Sequence, residues 1–148
     1  PAVDCGRGTN LAFRVLGAPW LRAEPFCAAM ARLRLAGVTF HPCRYVAAVA
    51  PYAGRELDGV RLTVTDPARF RPAQASLAIL RALAELYGSA RVWRYKGVRP
   101  DWFDKLYGTD DVRRHLQSGA PLNPLFAEWA RDRRAFSQAR RRALLYEA

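Results

Sequence analysis

Gly59-Val60-Arg61-Leu62-Thr63-Val64-Thr65, closed by Asp66-Pro67 and followed by the run from Ala73 to Tyr87, decides the fold. In the first stretch Val60, Leu62 and Val64 point one way and Arg61, Thr63 and Thr65 the other, the alternation of a half-buried strand. Asp66-Pro67 ends it in a turn. In the second, Leu77, Leu80, Ala84 and Tyr87 recur at helical spacing, and Gly88 stops the helix. A strand that hands over to an amphipathic helix through a short turn points to sheet and helix packed together.

Upstream, Leu11 to Leu16 alternates around Phe13 and Val15 and reads as a short strand, running into the turn Gly17-Ala18-Pro19-Trp20. Glu24 to Leu35 is expected to be helical, with Pro25 in the first turn, Phe26, Met30 and Leu33 on one face and Gly37 as the stop. Val38 to Phe40 starts another strand, which gives way to an irregular stretch through Pro42, Pro51 and Gly54. Downstream, Val92, Trp93 and Tyr95 suggest a strand. Thr109, Asp110 and Asp111 open a short helix through Leu116. Asn123 and Pro124 start a final helix with Phe126, Trp129, Phe136 and Leu144 on its apolar face. The expected class is α/β (α+β): one compact domain with a small mixed β-sheet and about four helices.

The composition agrees. The chain has 148 residues, 51% of them hydrophobic, with 7 Phe, 6 Tyr and 4 Trp. That supports a real core and excludes disorder as the main state. No apolar run approaches the length of a membrane span, and no signal peptide opens the chain. Pro1 stands where a Met would, so the sequence reads as a piece cut from a longer polypeptide. The net charge is +11, which in general suggests nucleic acid or an anionic surface. Yet only Lys96 and Lys105 are lysines, the arginines are spread along the chain, and only Arg140-Arg141-Arg142 forms a run. A solvated basic surface is the favoured reading.

Cys5, Cys27 and Cys43 form no CxxC pair, and only His41 and His115 stand ready to join them, so no metal and no cofactor is expected. His41 and Cys43 are alternate residues of an extended segment with no orienting acid, which argues against a nucleophile and its base. Gly6-Arg7-Gly8-Thr9 resembles an anion-cradling loop, two glycines exposing backbone N–H groups beside a cation, but it lacks the spacing of a phosphate loop.

Taken in order, the segments carry more. Gly6-Arg7-Gly8-Thr9, Phe13 and Gly17-Ala18-Pro19-Trp20 open the series. Phe40, Tyr52-Ala53-Gly54, Gly59-Val60, Val64-Thr65-Asp66, Phe70 and Pro72 continue it. Phe103-Asp104, Leu106, Gly108, Arg113, Gly119, Trp129, Phe136, Arg140 and Leu144-Leu145-Tyr146 close it. The series resembles, over essentially the whole chain, the C-terminal domain of the NamZ-like exo-β-N-acetylmuramidases. Leu57 stands where family members often have Cys, and Ala12 where they usually have Pro; both read as packing variation. The resemblance implies a secreted or periplasmic peptidoglycan-recycling glycosidase that releases N-acetylmuramic acid from non-reducing ends of wall fragments. It also implies a Rossmann-like N-terminal domain, absent from this chain, that carries most of the catalytic machinery. Residues 1–148 would then be an auxiliary domain completing the substrate cleft, with the peptidoglycan fragment and that N-terminal domain as partners. Such a domain is expected to leave an apolar patch near Gly17–Trp20 and the Tyr52 loop.

Six residues are the substrate-binding candidates under that resemblance: Arg7, Thr9, Trp20, Tyr52, Asp66 and Asp104. N-acetylmuramic acid bears a lactyl carboxylate, and a guanidinium meets a carboxylate with two parallel bonds, which makes Arg7 the candidate reader. The alternative, that Arg7 braces its loop against a carbonyl or Asp4, stays open. Trp20 and Tyr52 offer faces for sugar stacking. Core filling is favoured for Trp20, whereas Tyr52 is expected on a loop. Asp66 and Asp104 are the carboxylates at motif positions, but glycoside hydrolysis needs a matched pair. An Asx turn suits Asp66 and a helix cap suits Asp104 better, and no residue here is assigned as catalytic. The rival functions are a non-catalytic peptidoglycan-binding module and a basic nucleic-acid-binding domain. The absence of an aromatic RNA-binding string, helix-turn-helix spacing or lysine cluster argues against the second.

Overall fold

The structure, a computed structural model, describes residues 2–146. Three strands, β1 (Val15–Gly17), β2 (Val38–Val46) and β3 (Glu56–Val64), form one sheet with β3 in the middle. Both pairings are antiparallel, so the sheet is not mixed. The β2–β3 connection is a loop that returns the chain directly, and no βαβ crossover is present among the described residues to set strands parallel. β2 extends well past Phe40 into the stretch expected to be irregular. Pro42 pairs with Val60 there, which is permitted because β2 is an edge strand and the missing N–H faces away from the ladder. β1 is shorter than expected, since Leu11–Arg14 turns instead of extending.

The described residues form six α-helices: α1 (Ala23–Arg32), α2 (Pro72–Tyr87), α3 (Ser89–Trp93), α4 (Pro100–Tyr107), α5 (Asp111–Ser118) and α6 (Leu122–Arg140). α3 replaces the strand expected at Val92–Tyr95. Its adjacent Val92 and Trp93 are both buried, a pattern a two-residue alternation cannot produce. α4 was not expected, although Pro100 in its first turn and Gly108 in a left-handed cap are ordinary helix punctuation. α6 begins at Leu122, one residue before the expected Asn123, with Pro124 in its first turn.

Side chains alternate across β3 as the sequence implies. Val60 enters the main core with Phe26 and Met30 of α1, Leu77 and Leu83 of α2, Leu21, Val92 and Trp93. Each such large apolar side chain contributes about 1.5–3 kcal/mol by leaving water. The opposite face holds a second, smaller cluster at one end of the sheet: Val15, Tyr45, Ala47, Tyr52 and Leu57. This second core was not foreseen, and it sits directly beneath the Gly6–Thr9 loop.

Candidate functional site

Backbone conformation builds the Gly6–Thr9 loop. Gly6 and Gly8 have φ of +72° and +79°, left-handed values at which a side chain is strained. The Thr9 N–H donates to the Gly6 carbonyl at 3.1 Å. The Thr9 hydroxyl donates to the same carbonyl at 2.7 Å and accepts the Leu11 N–H at 3.0 Å. Thr9 is therefore the staple that closes the turn. The Gly6 N–H donates to the buried carboxylate of Asp4 at 2.7 Å, and the Tyr45 hydroxyl donates to the same oxygen at 2.9 Å.

Arg7 rides exposed on this turn. Among the described residues its guanidinium meets no carboxylate, and Asp4, the candidate brace, is engaged by Gly6 and Tyr45 instead. Among the described residues most of the other arginines also lack an acidic partner. What sets Arg7 apart is its backbone. The N–H groups of Arg7 and Gly8 donate to no acceptor among the described residues, so a cation and two free donors share one rigid turn. Phe13 lies just beyond, its N–H on the Cys5 carbonyl at 2.8 Å. It is 74% exposed and held at φ +60°, an outlier for an aromatic residue.

Tyr52 lies beside the same loop but corrects the sequence reading. Its ring is buried in the second core and its hydroxyl donates to the Ala2 carbonyl at 3.2 Å. Burial, reinforced by hydrogen bonding to Tyr95, raises its pKa. It has no free face for a sugar.

Trp20 lies elsewhere, in a cleft of about 350 Å³ whose walls include Val3, Leu83, Trp93, Trp102, Phe103 and Leu106. Tyr87 packs against the Trp20 ring at 5.3 Å and the Arg91 guanidinium covers it at 5.7 Å. On the rim, Trp102 is 52% exposed and flanked by Arg99 and Lys105 at 5.3 and 5.6 Å. Leu106 is 81% exposed. Large exposed apolar side chains stand at Phe13, at Trp102 and Leu106, at Val46 where β2 enters the Tyr52 loop, and toward the C-terminus at Phe136, Leu145 and Tyr146.

The two carboxylates are each engaged in a contact of their own. The Asp66 side chain accepts the N–H groups of Ala68 and Arg69 at 3.0 and 3.3 Å, an Asx turn leading into α2. It follows the far end of β3 from Tyr45 and Leu57, roughly 25 Å along the strand at about 3.3 Å per residue. Asp104 does not cap the next helix. It stands inside α4 and takes three hydrogen bonds of 2.8–3.0 Å from the Arg113 guanidinium of α5. A carboxylate already held by a two-pronged guanidinium is a structural clasp. His41 bonds Thr39 at 3.0 Å, and burial pushes the Cys43 thiol above its usual pKa, so the two form no nucleophile–base pair. All three cysteines are free thiols.

The described residues thus set an arginine loop and an aromatic cleft in the fold, with Asp66 and Asp104 each held in a separate contact. The family model described as the exo-β-N-acetylmuramidase NamZ, C-terminal, matches residues 2–146. The chain belongs to the NamZ C-terminal domain family. The peptidoglycan β-N-acetylmuramidase NamZ of Bacillus subtilis (strain 168) is 26% identical over 141 residues. That match takes in 95% of this chain and 33% of the Bacillus protein. A solved DUF1343 family protein from Bacteroides fragilis superposes on 99% of the chain with a TM-score of 0.88 at 21% identity, which shows the shared fold. The chain covers 38% of that protein, so this NamZ C-terminal domain spans about a third of the length of its relatives. Sequence reasoning named Asp4 only as a candidate brace for Arg7, not as the partner of Gly6 and Tyr45, and missed Tyr45 and Trp102. The signal for Tyr45 was the glycine pair Gly17 and Gly59, which faces its ring.

Proposed function

We propose that this domain forms one wall of the glycan cleft of a peptidoglycan exo-β-N-acetylmuramidase acting outside the cytoplasm, in the periplasm or after secretion. A preceding domain of the same polypeptide carries the catalytic groups. Arg7 binds the lactyl carboxylate that distinguishes N-acetylmuramic acid from N-acetylglucosamine, with the free N–H groups of Arg7 and Gly8 turned to the same anion. The observation that carries this reading is the Gly6–Thr9 turn, which fixes a cation and two unused donors together. Membership of the family and the likeness to the Bacillus muramidase support the substrate class. The exposed Phe13, Trp102 and Leu106 supply apolar surface for contact with the remainder of the protein.

On this reading the 148-residue chain alone does not hydrolyse a chromogenic N-acetylmuramic acid glycoside. In the full-length enzyme Arg7→Ala lowers the preference for that glycoside over its N-acetylglucosamine counterpart by about 10- to 100-fold, the worth of a charged hydrogen bond. Arg7→Lys keeps the charge, loses the fork and falls between. An unchanged sugar preference in Arg7→Ala refutes the assignment.

A further inference from the structure

Among the described residues Asp4 is the buried charged side chain, 4% exposed, and no cation of those residues pairs with it. A buried carboxylate costs several kcal/mol of lost hydration unless hydrogen bonds replace the water. An apolar residue of similar size would serve stability at least as well. The structure shows what the carboxylate does instead. Its Oδ1 takes the Gly6 N–H at 2.7 Å and the Tyr45 hydroxyl at 2.9 Å. Its backbone N–H and carbonyl are exchanged with those of Gly17 at 2.8 and 3.0 Å. Asp4 thus ties the sheet edge at Gly17 to the first residue of the arginine turn.

Tyr45 reaches Asp4 only because two glycines clear its path. A Cβ on Gly17 would lie 2.6 Å from the Tyr45 hydroxyl oxygen, and one on Gly59 would lie 2.7 Å from its ring. Neither glycine has a left-handed φ, so conformational freedom does not explain them. Close approach does. The ring lies across Gly17 and Gly59, which pair directly in the sheet, and its hydroxyl is delivered to the carboxylate.

We propose that Asp4 and Tyr45 are the positioning residues of the Arg7 loop: they hold Gly6, and through it the Arg7 guanidinium and the free Arg7 and Gly8 N–H groups, in the geometry that receives a sugar carboxylate. The inference rests on the reading of that loop as the carboxylate site. Asp4 and Tyr45 do not touch the ligand. They act by removing the freedom of a turn that its two glycines would otherwise leave loose.

The test uses the 148-residue chain and amide-resolved NMR titrations with N-acetylmuramic acid, with N-acetylglucosamine as the uncharged control. The acid is expected to shift the Arg7 and Gly8 amides and the Arg7 Nε–H, and the control to leave them in place. Tyr45→Phe keeps the ring and removes the hydroxyl. It should weaken binding of the acid about tenfold and speed hydrogen exchange at Gly6. Asp4→Asn, whose amide oxygen still accepts both bonds, should stay within about threefold of wild type, while Asp4→Leu should lose binding. If Tyr45→Phe lowers the melting temperature but leaves the affinity and the Gly6 exchange unchanged, while Arg7→Ala abolishes binding, Asp4 and Tyr45 are structural only and the proposal is wrong. If Arg7→Ala itself leaves binding unchanged, the carboxylate site falls and the positioning role falls with it.

Discussion

Gly37 and Gly54 form a matched pair of probes for what holds the sheet to α2. Their φ values are nearly the same, +74° and +75°, so alanine at either position carries a left-handed penalty of about 1–2 kcal/mol. Their surroundings differ completely. A Cβ on Gly54 meets nothing within 4 Å, whereas one on Gly37 would lie 2.3 Å from the Asp66 carbonyl oxygen and 2.8 Å from the Phe70 nitrogen. Those are backbone atoms of the Asx turn and cannot swing aside. The Gly37 carbonyl also accepts the Thr65 N–H at 2.9 Å, so any retreat breaks the bond that closes the sheet. Overpacking of this kind adds about 1–3 kcal/mol, with about 1 kcal/mol more for the strained hydrogen bond. A domain of this size loses about 2–4 °C of Tm per kcal/mol. Thermal melts followed by far-ultraviolet circular dichroism should therefore place Gly37→Ala roughly 5–10 °C below Gly54→Ala. Two variants melting within about 2 °C of each other would refute the claim that Gly37 is selected by close approach to the Asp66 turn.

The Asp104–Arg113 clasp is about one-fifth exposed on each side, so solvent discounts it. Asp104→Ala should cost about 1–2 kcal/mol in urea titrations at low salt, and an Arg113→Lys variant as stable as wild type would show that the fork is immaterial. Trp93→Ala removes a buried ring that meets Phe103 edge-on at 5.1 Å and should cost about 3–5 kcal/mol. Trp102→Ala on the cleft rim should stay within about 0.5 kcal/mol; equal losses would mean the rim is core. Burial pushes the Cys27 thiol up from 9.0 to about 11, so the folded protein keeps its proton where the unfolded chain has released it. That stability is complete below the unfolded value and declines as pH rises through this window. Wild type should accordingly lose more stability between pH 9 and 11 than Cys27→Ala, and native Cys27 should resist a thiol reagent that modifies Cys43.

The parts legible in sequence were those where one physical signal dominates. Val60, Leu62 and Val64 alternate because β3 is central and packs one face on α1 and α2, and the helix that Gly88 stops announces itself, whereas α1 ends at Arg32, short of the expected Leu35 and of Gly37. The failures arose where two signals compete. Pro42 reads as a breaker until the edge position of β2 is known. Val92 and Trp93 read as strand because neighbouring large residues suit either element in a short run. Tyr52 looked exposed because it stands between Pro51 and Gly54, yet the second core that buries it comes from residues on β1, β2 and β3 brought together only by register. Arg7 was legible as a cation between glycines. That Asp4 and Tyr45 secure its loop was not, since the contact spans forty-one positions of sequence.

Three of the carboxylates of this fold, Asp66, Asp104 and Asp4, are satisfied in different ways, and the difference bears on the reading proposed for Arg7. Asp66 accepts two amides of its own turn and thereby orders the entry to α2. Asp104 spends its charge on Arg113, joining α4 to α5 and leaving neither group for an outside ion. Asp4 also accepts a backbone amide, but it takes its second bond from a neutral hydroxyl. The distinction is electrostatic. A carboxylate neutralised by arginine stabilises two helices and presents nothing. A carboxylate satisfied by an amide and a tyrosine fixes a loop while leaving the adjacent guanidinium uncommitted. Burial beneath Tyr45, made possible by Gly17 and Gly59, separates the anchoring charge from the presented one. On the reading proposed for Arg7, the second core would serve more than stability, because it holds Asp4 away from the arginine of the Gly6–Thr9 turn.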